Sequence, residues 1–171
     1  MEDDSLAAVC GLYCGACSIY RARRDENPER LEELVRTLSE RRQIKPEDID
    51  CDGCLAGGRL LPSCRDCKMR PCAAEKEGVT RCSDCPDFPC ALITSFNNDG
   101  VSHHAEVLDN IRRQQKVGVA EWLEEEYERW RCQFCGVSLD WYARSCYRCG
   151  TKNALTIDTV TGERLQPYYR G

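Results

Sequence analysis

The decapeptides CRDCKMRPCA, at residues 64–73, and CSDCPDFPCA, at residues 82–91, share the pattern C-x-D-C-x3-P-C-A. Because Asp, Pro and Ala match as well as the cysteines, the pattern indicates a duplicated metal-binding unit rather than a chance spacing. A repeat this short forms one supersecondary unit and not a solenoid. The surrounding residues 51–90 hold eight cysteines and no sustained apolar periodicity. This composition predicts loop-rich chain that bound metal orders.

The composition of the whole chain supports a metal-binding protein. Its 171 residues include 15 cysteines and only 3 phenylalanines, so the apolar core is thin and needs further stabilisation. The first residues are acidic, unlike the basic flank of a signal peptide, and the uncharged stretches are too short to span a bilayer. We therefore expect a cytoplasmic protein with no membrane partner. In a reducing cytosol, an odd number of cysteines argues against a disulfide framework.

Two C-x2-C-G knuckles near the C-terminus give the strongest metal signal. Cys132, Cys135, Cys146 and Cys149 can surround one ion tetrahedrally. The glycine after each pair relieves crowding where backbone N–H groups turn toward sulfur. The spacing is typical of a zinc ribbon, and we expect zinc, although iron sites of the rubredoxin type share this geometry. The following segment, NALTIDTVTGERLQPYYRG, alternates and turns at its TG dipeptide, which predicts a β-hairpin.

The predicted ribbon is locally basic, although the chain as a whole has a net charge of −5. Trp141 and Tyr142 lie among its cations. We expect these aromatic side chains to form the small core of a structural ribbon. A protein partner is therefore favoured, and nucleic acid bound by the basic ribbon is the second option. The cations are Arg129, Arg131, Arg144, Arg148 and Lys152.

The eight cysteines between residues 51 and 90 can be divided in two ways, and their spacing does not choose between them. Both divisions produce two sites of four thiolates. Sequential pairing gives Cys51, Cys54, Cys64 and Cys67 in one site, and Cys72, Cys82, Cys85 and Cys90 in the other. Division by the repeat gives Cys64, Cys67 and Cys72 against Cys82, Cys85 and Cys90, each set completed by Cys51 or Cys54.

Three cysteines remain, in the stretch CGLYCGACSIY at residues 10–20. If this stretch is helical, Cys10, Cys14 and Cys17 lie on one face, and together they need a fourth ligand. His103 or His104, the two histidines of the chain, would close a structural site, which is the outcome we favour. An exchangeable water or a substrate in the fourth position would instead make the metal reactive.

Two segments carry helical signals. Residues 27–42 begin with a capping Asn27 and with Pro28, and residues 102–130 form further helices with a break at Gly118. We expect a cysteine-rich metal-binding domain at 1–100, a helical linker packing on it at 101–130, and a zinc ribbon with its hairpin at 131–171. The expected fold is a small metal-stabilised α-helical and irregular domain, α+β overall, with a C-terminal zinc-ribbon β-hairpin module.

Four segments of the chain together resemble the cysteine-rich domain-of-unknown-function 3795 family. They are CGLYCGACSIY, CDGCL, CRDCKMRPCAAEKEGVTRCSDCPDFPC and GVAEWLEEEYERWRCQFCG. The resemblance covers nearly the whole chain to Gly150, and the ribbon is an extension associated with some longer members. It implies metal binding and assigns no activity. The family's eleven-cysteine set falls on Cys10, Cys14, Cys17, Cys51, Cys54, Cys64, Cys67, Cys72, Cys82, Cys85 and Cys90.

We therefore predict a multi-metal protein, mainly zinc-binding, that acts as a binding or adaptor module. The sequence contains no Gly-rich phosphate loop and no Ser/His/Asp set that would indicate catalysis. The alternatives place a reactive centre at Cys10, Cys14 and Cys17. That centre would belong to an iron–sulfur or thiolate–zinc enzyme, or to a redox or metal sensor.

Overall fold

Short helices separated by cysteine-bearing turns make up the part of the chain that the structure describes. The structure is a computed structural model, and it describes residues 3–25, 27–153 and 155. The α-helices in these residues are α1 (Ser18–Arg24), α2 (Pro28–Arg42), α3 (Pro62–Arg65), α4 (Met69–Ala74), α5 (Ala91–Asn97), α6 (Val107–Val117) and α7 (Val119–Arg129). Short 3-10 helices lie between them, at Asp4–Leu6, Cys14–Ala16, Pro46–Asp48, Cys82–Asp84 and Ser102–Glu106.

Both helical segments predicted from the sequence are confirmed. Helix α2 begins at Pro28, and the Asn27 side chain accepts the backbone N–H of Arg30 at 3.1 Å. This is the cap that the sequence predicts, because Asn satisfies a free N–H of the first turn and Pro has none to satisfy. The second segment contains the 3-10 helix Ser102–Glu106 followed by α6 and α7, with the break at Gly118.

The main apolar core lies between the N-terminal segment and the pair α6 and α7. Val107 and Ile111 of α6 and Trp122 and Leu123 of α7 are buried in it. Trp122 meets Tyr13 edge to face, with 6.3 Å between the ring centroids. The two helices therefore cover the segment that carries the first cysteines.

A second apolar cluster lies between helices α1 and α2 and the loops that follow them. Ile19 of α1 is buried there with Ile49 and Leu61, and Val35 and Leu38 of α2 pack against them. The apolar stripe of α2 thus covers the loop that follows the helix. This packing holds the loop in place, although the sequence of the loop carries few helical or strand signals.

A buried ion network fixes the end of α7. Glu106 and Glu126 are 1% and 0% exposed, and Arg129 donates hydrogen bonds of 3.2 Å to both carboxylates. The indole N–H of Trp130 donates to Glu126 at 3.1 Å. Because a buried carboxylate is costly without such partners, the network ties the 3-10 helix Ser102–Glu106 to α7.

The expected α+β fold with a β-hairpin ribbon is wrong for the described residues. They contain no strand and no sheet, and the antiparallel pairings are isolated bridges: Ala7 with Tyr13, Arg131 with Ser138, and Ser145 with Lys152. The last two bridges each close one knuckle. The chain between them turns away to pack on the N-terminal domain, so no strand pair extends from the knuckles. The hairpin predicted after Lys152 lies almost entirely outside the described residues.

Within the described ranges, no helix combines the length and the apolar character that a membrane crossing requires.

Candidate metal centres

The C-terminal cysteines form a compact group. The sulfur atoms of Cys132, Cys135, Cys146 and Cys149 all lie within 4.8 Å of one another. Cys132 and Cys149 approach to 3.6 Å, and Cys135 and Cys146 to 3.5 Å. Four thiolates that share one zinc ion with bonds of about 2.3 Å stand about 3.8 Å apart. The donor set and its spacing therefore fit a tetrahedral ion, and the group can hold a metal.

The two knuckles have the same backbone geometry. In the first, the N–H of Cys132 donates to the carbonyl of Val137 and the N–H of Gly136 donates to the carbonyl of Cys132, both at 2.8 Å. Cys146 and Gly150 make the equivalent bonds in the second knuckle, at 2.8 and 2.9 Å. Both glycines have a φ of +73°, in the left-handed region that glycine adopts without strain. The glycine after each pair is thus required by the turn.

Hydrogen bonds lower the pKa of two of these thiols, and burial raises the pKa of a third. Backbone N–H groups of its own knuckle lower the pKa of Cys132. The Thr151 hydroxyl lies 3.2 Å from the sulfur of Cys149 and lowers the pKa of that cysteine to about 6. Burial raises the pKa of Cys146 to about 12. A bound cation would supply the charge that a buried Cys146 thiolate needs.

The loop between the knuckles joins this site to the N-terminal domain. The N–H of Trp141 donates to the carbonyl of Ala16 at 3.0 Å, and the hydroxyl of Ser18 donates to Asp140 at 2.7 Å. Trp141 is 5% exposed, belongs to the main core and stacks on His103 at 4.2 Å between ring centroids. The expectation that Trp141 belongs to a separate ribbon core is therefore wrong.

Both histidines have other neighbours. Nδ1 of His103 lies 2.5 Å from the Tyr142 hydroxyl, and Nδ1 of His104 lies 2.8 Å from Asp99. In residues 3–25, 27–153 and 155, neither histidine belongs to a set of three or more ligand atoms within 4.8 Å of one another. The structure therefore does not bring either histidine into a compact ligand set with the first cysteines.

The first three cysteines do not share a helix face. Cys14 begins a 3-10 helix, and α1 starts only after Cys17. Burial raises the pKa of Cys14, while the backbone N–H of Cys54 donates to its sulfur. Burial also raises the pKa of Cys17, to about 11, and Cys51 is the cysteine that contributes most to it. The structure thus places Cys54 beside Cys14 and Cys51 beside Cys17, and the Cys17 thiol also lies near Cys14.

The first N-terminal group consists of Cys17, Cys51 and Cys64. The Cys64 thiol donates to the sulfur of Cys51 and lowers the pKa of Cys51 to about 6, with further donation from backbone N–H groups. The same bond, together with burial, raises the pKa of Cys64, and Cys17 is the next cysteine that raises it. These three sulfurs lie in the second apolar cluster, beside α2.

The second group consists of Cys10, Cys14, Cys54 and Cys67. Burial raises the pKa of Cys10, and the neighbouring thiols of Cys67 and Cys54 raise it further. The Arg70 guanidinium donates to the Cys54 carbonyl and lies 3.6 Å from the Cys54 sulfur. A positively charged side chain therefore lies beside this group of sulfurs.

The third group consists of Cys72, Cys82, Cys85 and Cys90, which line one cavity. Burial raises the pKa of Cys82 to about 12, and the other three thiols of the group raise it further. The ammonium group of Lys76 lies 3.3 Å from the Cys85 sulfur. This group is the second set of the sequential division.

The other set of the sequential division, Cys51, Cys54, Cys64 and Cys67, is divided between two groups in the structure. Cys51 and Cys64 belong to the first group, whereas Cys54 and Cys67 belong to the second. Each C-x2-C pair thus contributes one sulfur to each of two adjacent groups. Sequence reasoning also missed the cations Arg70 and Lys76, although both lie within a few residues of cysteines in the repeat region.

A comparison with protein families matches residues 6–95 to the family described as "Protein of unknown function (DUF3795)". The chain belongs to this family. The matched range includes every cysteine from Cys10 to Cys90 and ends before the knuckles, so it is shorter than the resemblance to Gly150 that the sequence suggested. No curated protein and no solved structure matches the chain. The family membership carries no assigned activity.

Proposed function

We propose that this protein is a multi-metal-binding module that acts by binding a protein partner, with Zn²⁺ at the C-terminal four-cysteine site. The meeting of Cys132, Cys135, Cys146 and Cys149 within 4.8 Å carries the proposal. Four protein ligands complete a tetrahedral site and leave no position for a substrate, which favours a structural ion over a catalytic one. We infer the cytoplasm as its compartment, because a reducing environment keeps cysteines available as metal ligands.

The tips of the two knuckles are the surface that we assign to the partner. Phe134 lies between the cysteines of the first knuckle and is 79% exposed, and Tyr147 lies in the second and is 42% exposed. Aromatic side chains are enriched at protein interfaces. Because each tip lies between two ligands of the same ion, bound zinc would hold both side chains in fixed positions.

A nucleic-acid partner has less support. Two of the cations that make the ribbon basic are paired: Arg129 with Glu106 and Glu126, and Arg131 with Glu128 at 2.7 Å. These pairings neutralise part of the local positive charge, and the chain carries a net charge of −5. Since nucleic-acid binding depends on clustered positive charge, this partner stays the second option.

Metal counting on the full chain tests the zinc site. Native mass spectrometry and elemental analysis should show that Cys149→Ser loses one zinc ion per chain. Thr151→Val is the matched control, because it removes the hydroxyl beside Cys149 and leaves all four thiolates in place. We expect this control to retain the zinc, with weaker affinity. An unchanged zinc count in Cys149→Ser, or iron at this site in the native protein, would contradict the assignment.

Site-specific crosslinking tests the partner role. A photo-crosslinking amino acid at position 134 should trap one defined protein in cells, and the Cys149→Ser background should abolish the product. The same amino acid at Arg112, an exposed position on α6, provides the control and should not give this product. An identical pattern from both positions would refute a binding surface at the knuckle tip.

The alternative of a reactive centre at Cys10, Cys14 and Cys17, in an iron–sulfur or thiolate–zinc enzyme or a sensor, stays a prediction. The absence of a compact set of ligand atoms around Cys10, Cys14 and Cys17 in the described residues favours the binding module over it.

A further inference from the structure

The second knuckle carries three exposed cations that form no ion pair within the described residues: Arg144, Arg148 and Lys152. The segment that contains them, RSCYRCGTK at residues 144–152, has no carboxylate of its own. Burial raises the pKa of Asp25, which lies near this segment, and the charges of Arg21 and Arg148 oppose that rise. Asp25 forms its ion pair with Arg21, at 3.6 Å. The positive charge of the second knuckle is therefore left without a direct acidic partner.

The backbone of residues 144–152, which we call the basic knuckle, brings these cations into one small turn. Lys152 pairs with Ser145 in an antiparallel bridge, and the N–H of Asn153 donates to the carbonyl of Arg144 at 2.9 Å. Arg148 lies between these two ends, next to Tyr147 and within the C-x2-C pair. The three cations thus share one surface turn with an exposed aromatic side chain.

We propose that the basic knuckle binds an acidic segment of the protein partner, and that Phe134 and Tyr147 contact apolar side chains of the same segment. This inference rests on the proposed function, because it names the chemistry of the partner that the knuckle tips would bind. The basic knuckle contributes three positive charges to a chain whose net charge is −5. An acidic partner is therefore repelled by most of the chain and attracted at this turn, and such complementarity fixes the orientation of a complex.

A short acidic peptide fits this surface better than nucleic acid does. Three cations can neutralise about three phosphates, and the electrostatic part of nucleic-acid affinity increases with that number. A nucleic acid longer than this contact would extend along a chain that is acidic overall. A peptide can place a few carboxylates on the basic knuckle and an apolar side chain on Phe134, which is 79% exposed.

The knuckle sulfurs have hydrogen-bond donors other than these cations. Four thiolates around one Zn²⁺ carry a formal charge of about −2, which nearby cations can balance. The Thr151 hydroxyl lies 3.2 Å from the Cys149 sulfur, and backbone N–H groups donate to the sulfur of Cys132. In the part of the chain that the structure describes, no cation of the basic knuckle lies within hydrogen-bonding distance of a knuckle sulfur. The three cations are therefore available to a partner.

Peptide selection on the zinc-loaded full chain tests the inference. A phage library of random dodecapeptides should yield sequences in which several Asp or Glu residues flank a Leu, Phe or Trp. Fluorescence anisotropy with a labelled synthetic copy of the most enriched peptide then measures its Kd. Enriched peptides that are neutral or basic would overturn the inference and leave the partner role standing. A library that yields no binder would contradict the partner role itself, so the two failures are distinguishable.

Two charge-reversal variants locate the binding surface. Arg144→Glu/Arg148→Glu should raise the Kd of the acidic peptide at least about tenfold, because two attractive charges become repulsive. Arg112→Glu/Lys116→Glu is the matched control, since it makes the same change in net charge at two exposed positions of α6. It should change the Kd by less than about twofold, because salt screens charges that lie outside the contact.

The same variants separate the other roles that the cations could have. Both variants should keep the C-terminal zinc in native mass spectrometry. Equal effects of the two variants on the Kd, or loss of zinc from the knuckle variant alone, would overturn the inference. A single-stranded oligothymidylate that binds the native chain more tightly than the peptide and competes with it would also overturn the inference, because the basic knuckle would then be a nucleic-acid surface.

Discussion

The backbone N–H of Trp141 donates to the carbonyl oxygen of Ala16 at 3.0 Å, and this bond joins the C-terminal four-cysteine site to the segment that carries the first cysteines. Ala16 lies in the short turn between Cys14 and Cys17, and Trp141 lies in the loop between the two knuckles. The neighbouring Asp140 accepts a hydrogen bond from Ser18 at 2.7 Å and pairs with Arg30. A metal that orders the knuckles therefore also helps to position the turn that carries the first cysteines.

This connection predicts that loss of the C-terminal metal alters the reactivity of a distant cysteine. Cys149→Ser should raise the alkylation rate of Cys17 several-fold, because the loop that holds Ala16 and Ser18 loses its anchor. The rate at Cys85, which lines a different cavity with Cys72, Cys82 and Cys90, should not change. Mass spectrometry of alkylated peptides after a short pulse of iodoacetamide measures both rates. Equal rates at Cys17 in the variant and the native protein would show that the two sites are independent.

The buried indole of Trp141 should contribute strongly to stability. Trp141→Ala removes a large side chain from the main core and its stacking on His103, and should lower the free energy of unfolding by about 3–5 kcal/mol. Tyr142→Phe, the control, removes only the hydroxyl beside His103 and should cost about 0.5–1.5 kcal/mol. Urea unfolding of the metal-loaded proteins measures both values. Similar small losses in the two variants would mean that the loop is not anchored through its indole.

The parts of the fold that the sequence predicts depend on local signals. The cap at Asn27, the break at Gly118 and the two knuckles are each determined by neighbours within a few residues. Helix capping and a C-x2-C-G turn need no distant partner to take their shape. For the same reason, the four sulfurs of the C-terminal site could be identified from spacing alone.

The grouping of the other cysteines could not be predicted, because it depends on contacts between distant segments. Cys14 receives the N–H of Cys54, and Cys64 donates to Cys51. A C-x2-C spacing does not determine whether its two sulfurs belong to the same site or to two different sites. The expected hairpin ribbon is wrong for a related reason. Burying Trp141 in the main core stabilises the loop between the knuckles more than pairing that loop as strands would.

The buried pair of carboxylates at the end of α7 should make the protein sensitive to the loss of one arginine. Arg129→Met would leave Glu106 and Glu126 without their shared guanidinium, and both are almost fully buried. Removing one partner from a buried ionic network costs about 3–5 kcal/mol, so we expect a loss of this size in urea unfolding at neutral pH. Arg112→Met is the matched control on α6, because Arg112 pairs with Asp109 at an exposed position. That control should change stability by less than about 0.5 kcal/mol, since exposed ion pairs are screened by water. Equal effects of the two substitutions would show that the α7 network contributes no more than a surface pair.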